Sequence, residues 1–107
     1  MSGGLTNTFV QNLIEPSNFN LFQNYPNPFN SSTLIKFRIE EISFVNLDVF
    51  DINGKLIQRV INKRLVKGLH KEIFNGNELS SGIYFFRLRA SNTTYYFSET
   101  KKFLLVN

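Results

Sequence analysis

The stretch from Leu79 to Ala90 constrains the fold more than any other part of the chain. It opens with a turn at Ser81-Gly82 and continues as an alternating run. One face of that run takes Tyr84, Phe86, Leu88 and Ala90, and the other takes Ile83, Phe85, Arg87 and Arg89. A period of two residues with one apolar face is typical of a half-buried β-strand.

The residues that lead into this strand add a second constraint. Leu79, Gly82 and Tyr84 have the spacing of a tyrosine corner, a motif of immunoglobulin-like sandwiches. In that motif the tyrosine ring enters the core and its hydroxyl bonds to backbone a few residues upstream. An ordinary aromatic strand residue is the alternative. We favour the corner, which predicts that Tyr84 fastens a loop onto the penultimate strand.

Composition favours a single all-strand domain. The 107 residues suit one domain with a core of its own. The chain has 12 Phe and Ala90 as its one alanine, a balance that favours strands over helices. There is no cysteine, which excludes a disulfide framework and a thiolate metal site.

The N-terminal part has the character of a leader and linker. Met1 to Gly4 resembles a cloning remnant, and residues 5–18 are polar and irregular. No secretory signal and no membrane-spanning apolar run are recognisable in the sequence. We therefore expect residues 1–18 to be remnant and linker, and residues 19–107 to be the folded domain.

The formal charge is +4, and six of the twelve Lys and Arg residues lie in the middle of the chain. They are Lys55, Arg59, Lys63, Arg64, Lys67 and Lys71. Exposed aromatic side chains between them would indicate a nucleic-acid surface. A solvated face that keeps an aromatic-rich chain soluble is the interpretation we favour, so no nucleic-acid partner is expected.

The segment from Phe19 to Asn30 contains two prolines, two residues apart. Proline restricts its own φ and pushes the preceding residue into extended geometry, so this segment cannot be a central strand. We expect an edge strand that bends away. Tyr25 and Phe29 would then plug the end of the core, with an exposed recognition surface as the alternative.

Two clean alternating strands follow, Thr33 to Glu40 and Ser43 to Asp51, joined by a short hairpin connection at Glu41-Ile42. Ile35, Phe37 and Ile39 face inward in the first strand, and Val45, Leu47 and Val49 in the second. Asn53-Gly54 supplies the positive φ of a turn that begins at Asp51.

The remaining strands are less regular. Lys55 to Asn62 mixes its faces, which predicts an edge or sheet-switching strand, and Lys63 to Lys67 is predicted to be a basic loop. Leu69 to Asn75 is a further strand, ending in a turn at Asn75-Gly76-Asn77. Thr94 to Val106 is long with a polar middle, so a bulge is expected near Ser98-Glu99. About seven strands with frequent turn signals predict an antiparallel β-sandwich, immunoglobulin-like or fibronectin III-like, with a small barrel as the competitor.

Residues that could carry chemistry are sparse. His70 has only Glu72 as a same-face neighbour, which favours an ordinary strand histidine over a catalytic one. Asp51, Asn53 and Asn75 could hold a calcium ion, but a carboxylate that caps its own turn is the better interpretation. We expect no enzyme, no catalytic residue, no metal and no cofactor.

Four stretches in register nevertheless resemble one family. They are Leu21–Asn30 with Thr33–Ile35, Val49–Lys55, Leu79–Leu88 and Thr100–Leu105. Together they resemble the type A C-terminal sorting domains of the type IX secretion system of Bacteroidetes, also called Por secretion system sorting domains. The pattern is also similar to the immunoglobulin-like domain of the flagellar hook-capping protein. Ser31 stands where the family tends to have proline, and Glu72 where it tends to have an apolar residue.

The resemblance implies a non-catalytic address. Such a domain directs an N-terminal cargo across the periplasm to the outer-membrane surface or outside the cell. A translocon and a shuttle recognise it, and a sortase cuts in the linker before it. The positions that match the family's recognition motifs are Gly82, Tyr84, Lys101, Lys102, Phe103, Leu104 and Leu105. From the residues alone, Lys101 or Lys102 and a free terminal edge strand are the better candidates for direct contact.

One alternative function stays open at this point. A passive or carbohydrate-binding immunoglobulin-like module of a surface enzyme would show exposed, coplanar aromatic side chains, and Tyr95 and Tyr96 are the candidates.

Overall fold

A computed structural model describes residues 19–107, which form seven β-strands and no helix. The bounds are β1 Asn20–Leu21, β2 Ser32–Ile39, β3 Ser43–Asp51, β4 Leu56–Leu65, β5 Gly68–Asn75, β6 Gly82–Ser91 and β7 Tyr96–Leu105. The expected remnant and linker, residues 1–18, lie outside the described residues. No helix long and apolar enough to cross a membrane occurs between Phe19 and Asn107.

The strands form two antiparallel sheets packed face to face. One sheet has the order β1-β2-β5 and the other the order β4-β3-β6-β7. The inward residues of both sheets form one core, as the alternating pattern predicts. The all-β sandwich is confirmed, and the small barrel is not what the chain forms.

The connection between β2 and β3 differs from the prediction. β2 pairs with β1 and β5, whereas β3 pairs with β4 and β6. Glu41-Ile42 therefore carries the chain from one sheet to the other, and the expected hairpin is wrong. The alternation of apolar and polar residues predicts which side chains are buried. It does not predict which strands are hydrogen-bonded, because strands of two facing sheets bury their side chains in the same core.

The core is rich in aromatic rings at one end. Phe103 lies 5.3 Å from Phe29, 5.8 Å from Phe74 and 5.4 Å from Phe86, measured between ring centroids. Tilted and edge contacts at this spacing are favourable beyond simple burial. Every inward residue predicted for β2, β3 and β6 is buried: Ile35, Phe37, Ile39, Val45, Leu47, Val49, Tyr84, Phe86, Leu88 and Ala90.

β4 is an edge strand, as its mixed pattern predicts. Its pairing with β3 shifts register between Leu47 and Asp48 and again between Val49 and Phe50. At each irregularity the alternation of β4 shifts by one residue, so odd- and even-numbered residues exchange faces. This accounts for apolar residues at both odd and even positions of β4. The strand runs on to Leu65, so the basic loop expected at Lys63 to Lys67 is wrong for its first three residues.

β7 holds its register against β6 at every position from Leu105 to Tyr96, so the bulge expected near Ser98-Glu99 is wrong. The inward positions in its middle are Glu99 and Lys101, both half-buried. Lys101 Nζ lies 3.3 Å from Glu99 Oε2. Because the two side chains neutralise each other, the polar middle stays in the strand without a bulge.

The two departures from the family pattern are both visible in the fold. Glu72 faces inward on β5, half-buried, and pairs in register with Ile35. Ser31 has a φ of 75°. Proline holds φ near about −65°, so a proline could not replace Ser31 without changing this turn.

Candidate functional site

The motifs that lie far apart in the sequence meet at one end of the sandwich. We call this region the terminal junction and define it as residues 23–29, 79–84 and 101–107. Phe29 N donates to Leu104 O at 3.0 Å, and Val106 N donates to Phe29 O at 2.9 Å. The proline segment, residues 23–29, thus pairs in parallel with the end of β7.

Side chains complete the closure of this edge. Gln23 Nε2 donates to Lys102 O at 2.9 Å, and Leu104 N donates to Asn27 Oδ1 at 3.0 Å. The backbone of β7 from Lys102 to Leu104 is therefore bonded on both sides. The free terminal edge expected from the sequence is wrong for this stretch, because the proline segment crosses from the other sheet and covers it.

A buried polar pair holds the proline segment in shape. Asn24 and Thr33 are both buried. Asn24 Nδ2 donates to Thr33 Oγ1 at 2.9 Å and to Pro26 O at 3.1 Å, and Thr33 Oγ1 donates to Pro26 O at 2.8 Å. Because these groups satisfy each other, the segment can pass through the end of the core without unpaired polar atoms.

Phe29 and Tyr25, both expected to be buried at the end of the core, differ in burial. Phe29 is 2% exposed and enters the core beside Gly76. A Cβ added to Gly76 would lie 3.2 Å from the Leu105 side chain, so there is little room for a larger residue there. Tyr25 is 79% exposed, so its predicted burial is wrong. Tyr25 forms an antiparallel bridge with Leu34, whose side chain points away from the core, and directly opposed residues share a face.

The tyrosine corner is confirmed. Tyr84 is buried, and its hydroxyl donates to Ser80 O at 2.7 Å. Its ring stacks on Phe103, with centroids 5.8 Å apart. Gly82 has a φ of 153°, and a Cβ added to it would meet no atom within 4 Å. Its backbone conformation, rather than lack of space, therefore favours glycine at this position.

The last residue is tied to the same loop. Asn107 N donates to Ser81 Oγ at 2.9 Å, and Asn107 Nδ2 donates to Leu79 O at 2.7 Å. The corner loop, the proline segment and the end of β7 are therefore one hydrogen-bonded unit.

The predicted recognition residues divide by direction. Tyr84, Phe103 and Leu105 are buried, and Lys101 is half-buried beside Glu99. Lys102 and Leu104 point outward, and Leu104 pairs across the strands with exposed Ile83. A shallow depression of about 170 Å³ is lined by Asn27, Ile83, Lys102, Phe103 and Leu104. The outer surface of the junction is thus apolar with one cation at its rim.

The residues considered for other chemistry have structural partners. His70 stacks on Phe37 at 5.4 Å, and its Nε2 lies 2.7 Å from Val66 O. Asp51 Oδ1 accepts from Asn53 N and Lys55 N, both at 2.9 Å, as expected for a turn cap. Asn75 Oδ1 accepts from Asn77 N in a different turn. Between Phe19 and Asn107, no three His, Cys, Asp or Glu side chains cluster as a metal site would require.

Tyr95 and Tyr96 do not form a flat aromatic platform. Tyr95 packs against Phe19, with centroids 5.8 Å apart, whereas Tyr96 follows it on β7 and is exposed on the opposite face. Glu41 raises the pKa of the Tyr95 phenol, with partial burial and Glu40 acting in the same direction. The observation that would favour a carbohydrate-binding module is therefore missing from this pair.

Sequence reasoning missed one cluster. Asp48 has the outward parity of β3 but is fully buried, beneath Arg59, Arg87 and Arg89. The signal was partly present: Asp48, Arg87 and Arg89 have outward parity on neighbouring strands, whereas Arg59 shares the parity of buried Ile61 and faces Asp48 only because the register shifts after Leu47.

The architecture defines a class. A three-stranded sheet packed on a four-stranded sheet, with a tyrosine corner opening the penultimate strand, is an immunoglobulin-like β-sandwich. The crystal structure of CopC from Methylosinus trichosporium OB3b is similar, with a TM-score of 0.56 and 19% identity. The match covers 81% of this chain and 92% of that one. At this identity the likeness concerns the fold alone.

The family follows from the sequence match. The family model of the secretion system C-terminal sorting domain matches residues 23–105, and the chain belongs to this family. The match spans the proline segment, the corner and the end of β7. The resemblance to type IX sorting domains is confirmed, and with it a role as a secretion sorting signal, which implies export to the cell surface or beyond. Comparison with curated proteins finds no match.

Proposed function

We propose that this domain is the address by which the type IX secretion system exports a cargo protein joined to its N-terminus. The cargo crosses the periplasm in transit and finishes on the outer-membrane surface or outside the cell. A translocon and its shuttle recognise the folded domain, and a sortase cuts in the linker that precedes it. The domain itself performs no chemistry.

The observation that carries this proposal is the assembly of the terminal junction. Three stretches of the family pattern meet there, through the bond of Phe29 N to Leu104 O and the strand pairing of Gly82 with Leu105. A shared surface is what a recognition partner requires.

The recognition residues act in two ways under this proposal. Lys102 and Leu104 contact the partner, with Ile83 extending the apolar part of the surface. Gly82, Tyr84, Lys101, Phe103 and Leu105 are positioning residues, because they hold the corner and the end of β7 in place. Loss of a contact residue should abolish sorting in a folded domain, whereas loss of a positioning residue should also lower stability.

The test is export of a fluorescent reporter fused before the domain, in a bacterium with an intact type IX system. We expect Lys102→Glu and Leu104→Asn, combined, to leave the reporter in the periplasm while the melting temperature of the purified domain changes little. The matched control combines Lys63→Glu on β4 with Leu69→Asn on β5, both exposed and, by the strand register, at the end of the sandwich away from the junction.

Fractionation and protease accessibility of the reporter decide the outcome. Normal display of the junction variant would refute contact through Lys102 and Leu104. Equal retention of the control variant would show that the defect does not belong to the junction.

A further inference from the structure

The outer face of the four-stranded sheet holds a carboxylate that solvent does not reach. Asp48 is fully buried, although its parity on β3 turns it away from the core. Its Oδ1 accepts from Arg59 Nε at 3.0 Å. Nη2 of Arg87 and Nη2 of Arg89 lie 3.7 and 4.0 Å from its Oδ2. Three guanidiniums therefore surround one carboxylate.

This cluster has more positive charge and more donors than Asp48 can use. Three cations against one anion leave a local excess of two positive charges. A guanidinium carries five N–H donors, whereas a carboxylate accepts about four hydrogen bonds. Nε of Arg87, Nε of Arg89 and Oδ2 of Asp48 are all shielded from solvent and make no hydrogen bond within the described chain. A second anion at this place would satisfy donors that Asp48 leaves unused.

The surroundings of the cluster fit an anion with an apolar neighbour. Arg87 Cζ lies 4.8 Å from the centre of the Phe50 ring, which holds the guanidinium in one orientation. Beside it is a shallow depression of about 260 Å³, lined by Phe50, Gly54, Phe85, Arg87 and Thr100. Among the described strands, the register places no acidic side chain other than Asp48 on this face.

Among the described residues, a stretch of sheet edge next to the cluster has no pairing strand. Leu104 and Lys102 direct backbone groups to the outer edge of β7, where the proline segment bonds them. Thr100 and Ser98 share their parity, but no described residue pairs with their outer backbone groups. Ser98 and Thr100 are also the cross-strand partners of Arg89 and Arg87. Because both are small, a side chain from a strand added at this edge can reach the arginines.

We propose that this face and edge bind an extended acidic segment of a partner protein. The segment adds a strand along β7 between Tyr96 and Thr100, and one of its carboxylates binds Arg87 and Arg89. An adjacent apolar side chain fills the depression beside Phe50. An extended protein segment fits better than a phosphorylated or sulfated glycan, because a glycan has no main-chain amides to pair with the open edge. This inference is independent of the role of the terminal junction.

The experiment measures fluorescence anisotropy of a labelled peptide of alternating glutamate and tyrosine against the whole chain. We expect Arg89→Gln to weaken binding about tenfold, since one charge-assisted hydrogen bond is lost. Arg64→Gln is the matched control, because it removes the same charge from the same face outside the cluster, and it should change binding less than about twofold. Equal losses in both variants, or no binding, would overturn the proposal.

Two further measurements separate a built site from general attraction. A peptide with N-methyl groups on alternate amides should lose binding, because it cannot pair with the edge. Undiminished binding of the N-methylated peptide would overturn the proposal that the segment adds a strand. The same holds if the unmodified peptide does not bind and heparin binds in a way that depends on Arg89. Asp48→Asn removes the resident anion and should tighten peptide binding severalfold. If Asp48→Asn does not fold, the comparison of Arg89→Gln with Arg64→Gln still decides.

Discussion

A single hydroxyl fixes the loop that enters β6. Tyr84 is surrounded by core residues, yet its oxygen reaches Ser80 O at 2.7 Å at the edge of the sandwich. The ring contributes burial, and the hydroxyl fixes the angle at which the loop approaches the strand. The loop in turn carries Ser81 Oγ and Leu79 O, to which Asn107 is bonded.

Tyr84→Phe should therefore cost about 1 kcal/mol of unfolding free energy, the usual contribution of one such hydrogen bond. Urea denaturation followed by circular dichroism measures it. Tyr96→Phe is the control, since Tyr96 is exposed and its hydroxyl has no partner among the described residues. The role of the corner would be contradicted if the two variants unfolded at the same midpoint.

At this scale the sequence predicts local motifs well. It predicts poorly which way a side chain points when that depends on residues distant in the chain. The spacing of Leu79, Gly82 and Tyr84 is local, so the corner could be recognised without the fold. The side to which Tyr25 points depends on its bridge to Leu34, nine residues further on in the chain. The burial of Asp48 depends on arginines from two other strands, which parity alone does not bring together.

The proline segment is the element that joins the two sheets. It leaves β1 at the edge of one sheet and pairs with β7 at the edge of the other. Its prolines donate no hydrogen bond, so the segment bonds through Phe29, Asn27 and Gln23 instead. An edge strand that bends away was predictable from the prolines. Its destination was not, because no local pattern identifies a parallel partner that follows about 75 residues later.

Two aromatic substitutions in this segment should behave in opposite ways. Phe29→Ala should lower the unfolding free energy by about 3–4 kcal/mol, because it empties a site beside two other core rings, Phe74 and Phe103. Tyr25→Ala should change it by less than about 0.5 kcal/mol, as expected for an exposed side chain. Chemical denaturation of both variants checks the pair. Comparable losses would show that Tyr25, too, supports the core.

The element scale also shows where polar residues mislead. Glu99 and Lys101 indicated a break in β7, and the pair between them removes the need for one. Lys63 and Arg64 indicated a loop, yet they lie on an edge strand, where charged residues guard against unwanted pairing. In both places the charged residues were identified correctly, but the structure they adopt depends on neighbouring residues and strands that the local pattern does not reveal.

At the scale of the whole molecule, β7 completes the four-stranded sheet and contributes Phe103 and Leu105 to the core. Seven strands in two layers were predictable from alternation and turns. The order within each sheet was not, because it depends on pairings between distant strands, as the β2–β3 connection shows.

Removal of Lys101–Asn107 should abolish cooperative folding, since the loss of two fully buried apolar side chains alone approaches the whole stability of a small domain. A two-dimensional NMR spectrum of the shortened chain should lose its dispersed signals. The combined Lys102→Glu and Leu104→Asn variant should keep them. A well-dispersed spectrum from the shortened chain would contradict this role of β7. Retention of a truncated fusion in the periplasm would accordingly report unfolding and not only lost contact.

The terminal junction is built from three separate stretches of the chain, which limits how the sorting signal can be reproduced in another molecule. A partner that touches this surface meets residues contributed by three stretches, held together by bonds such as Val106 to Phe29 and Asn107 to Ser81. A synthetic peptide reproducing one stretch would present neither the shape nor the neighbours of the other two. Transplanting the label onto another protein therefore requires grafting the entire sandwich, and short mimetic inhibitors should compete weakly.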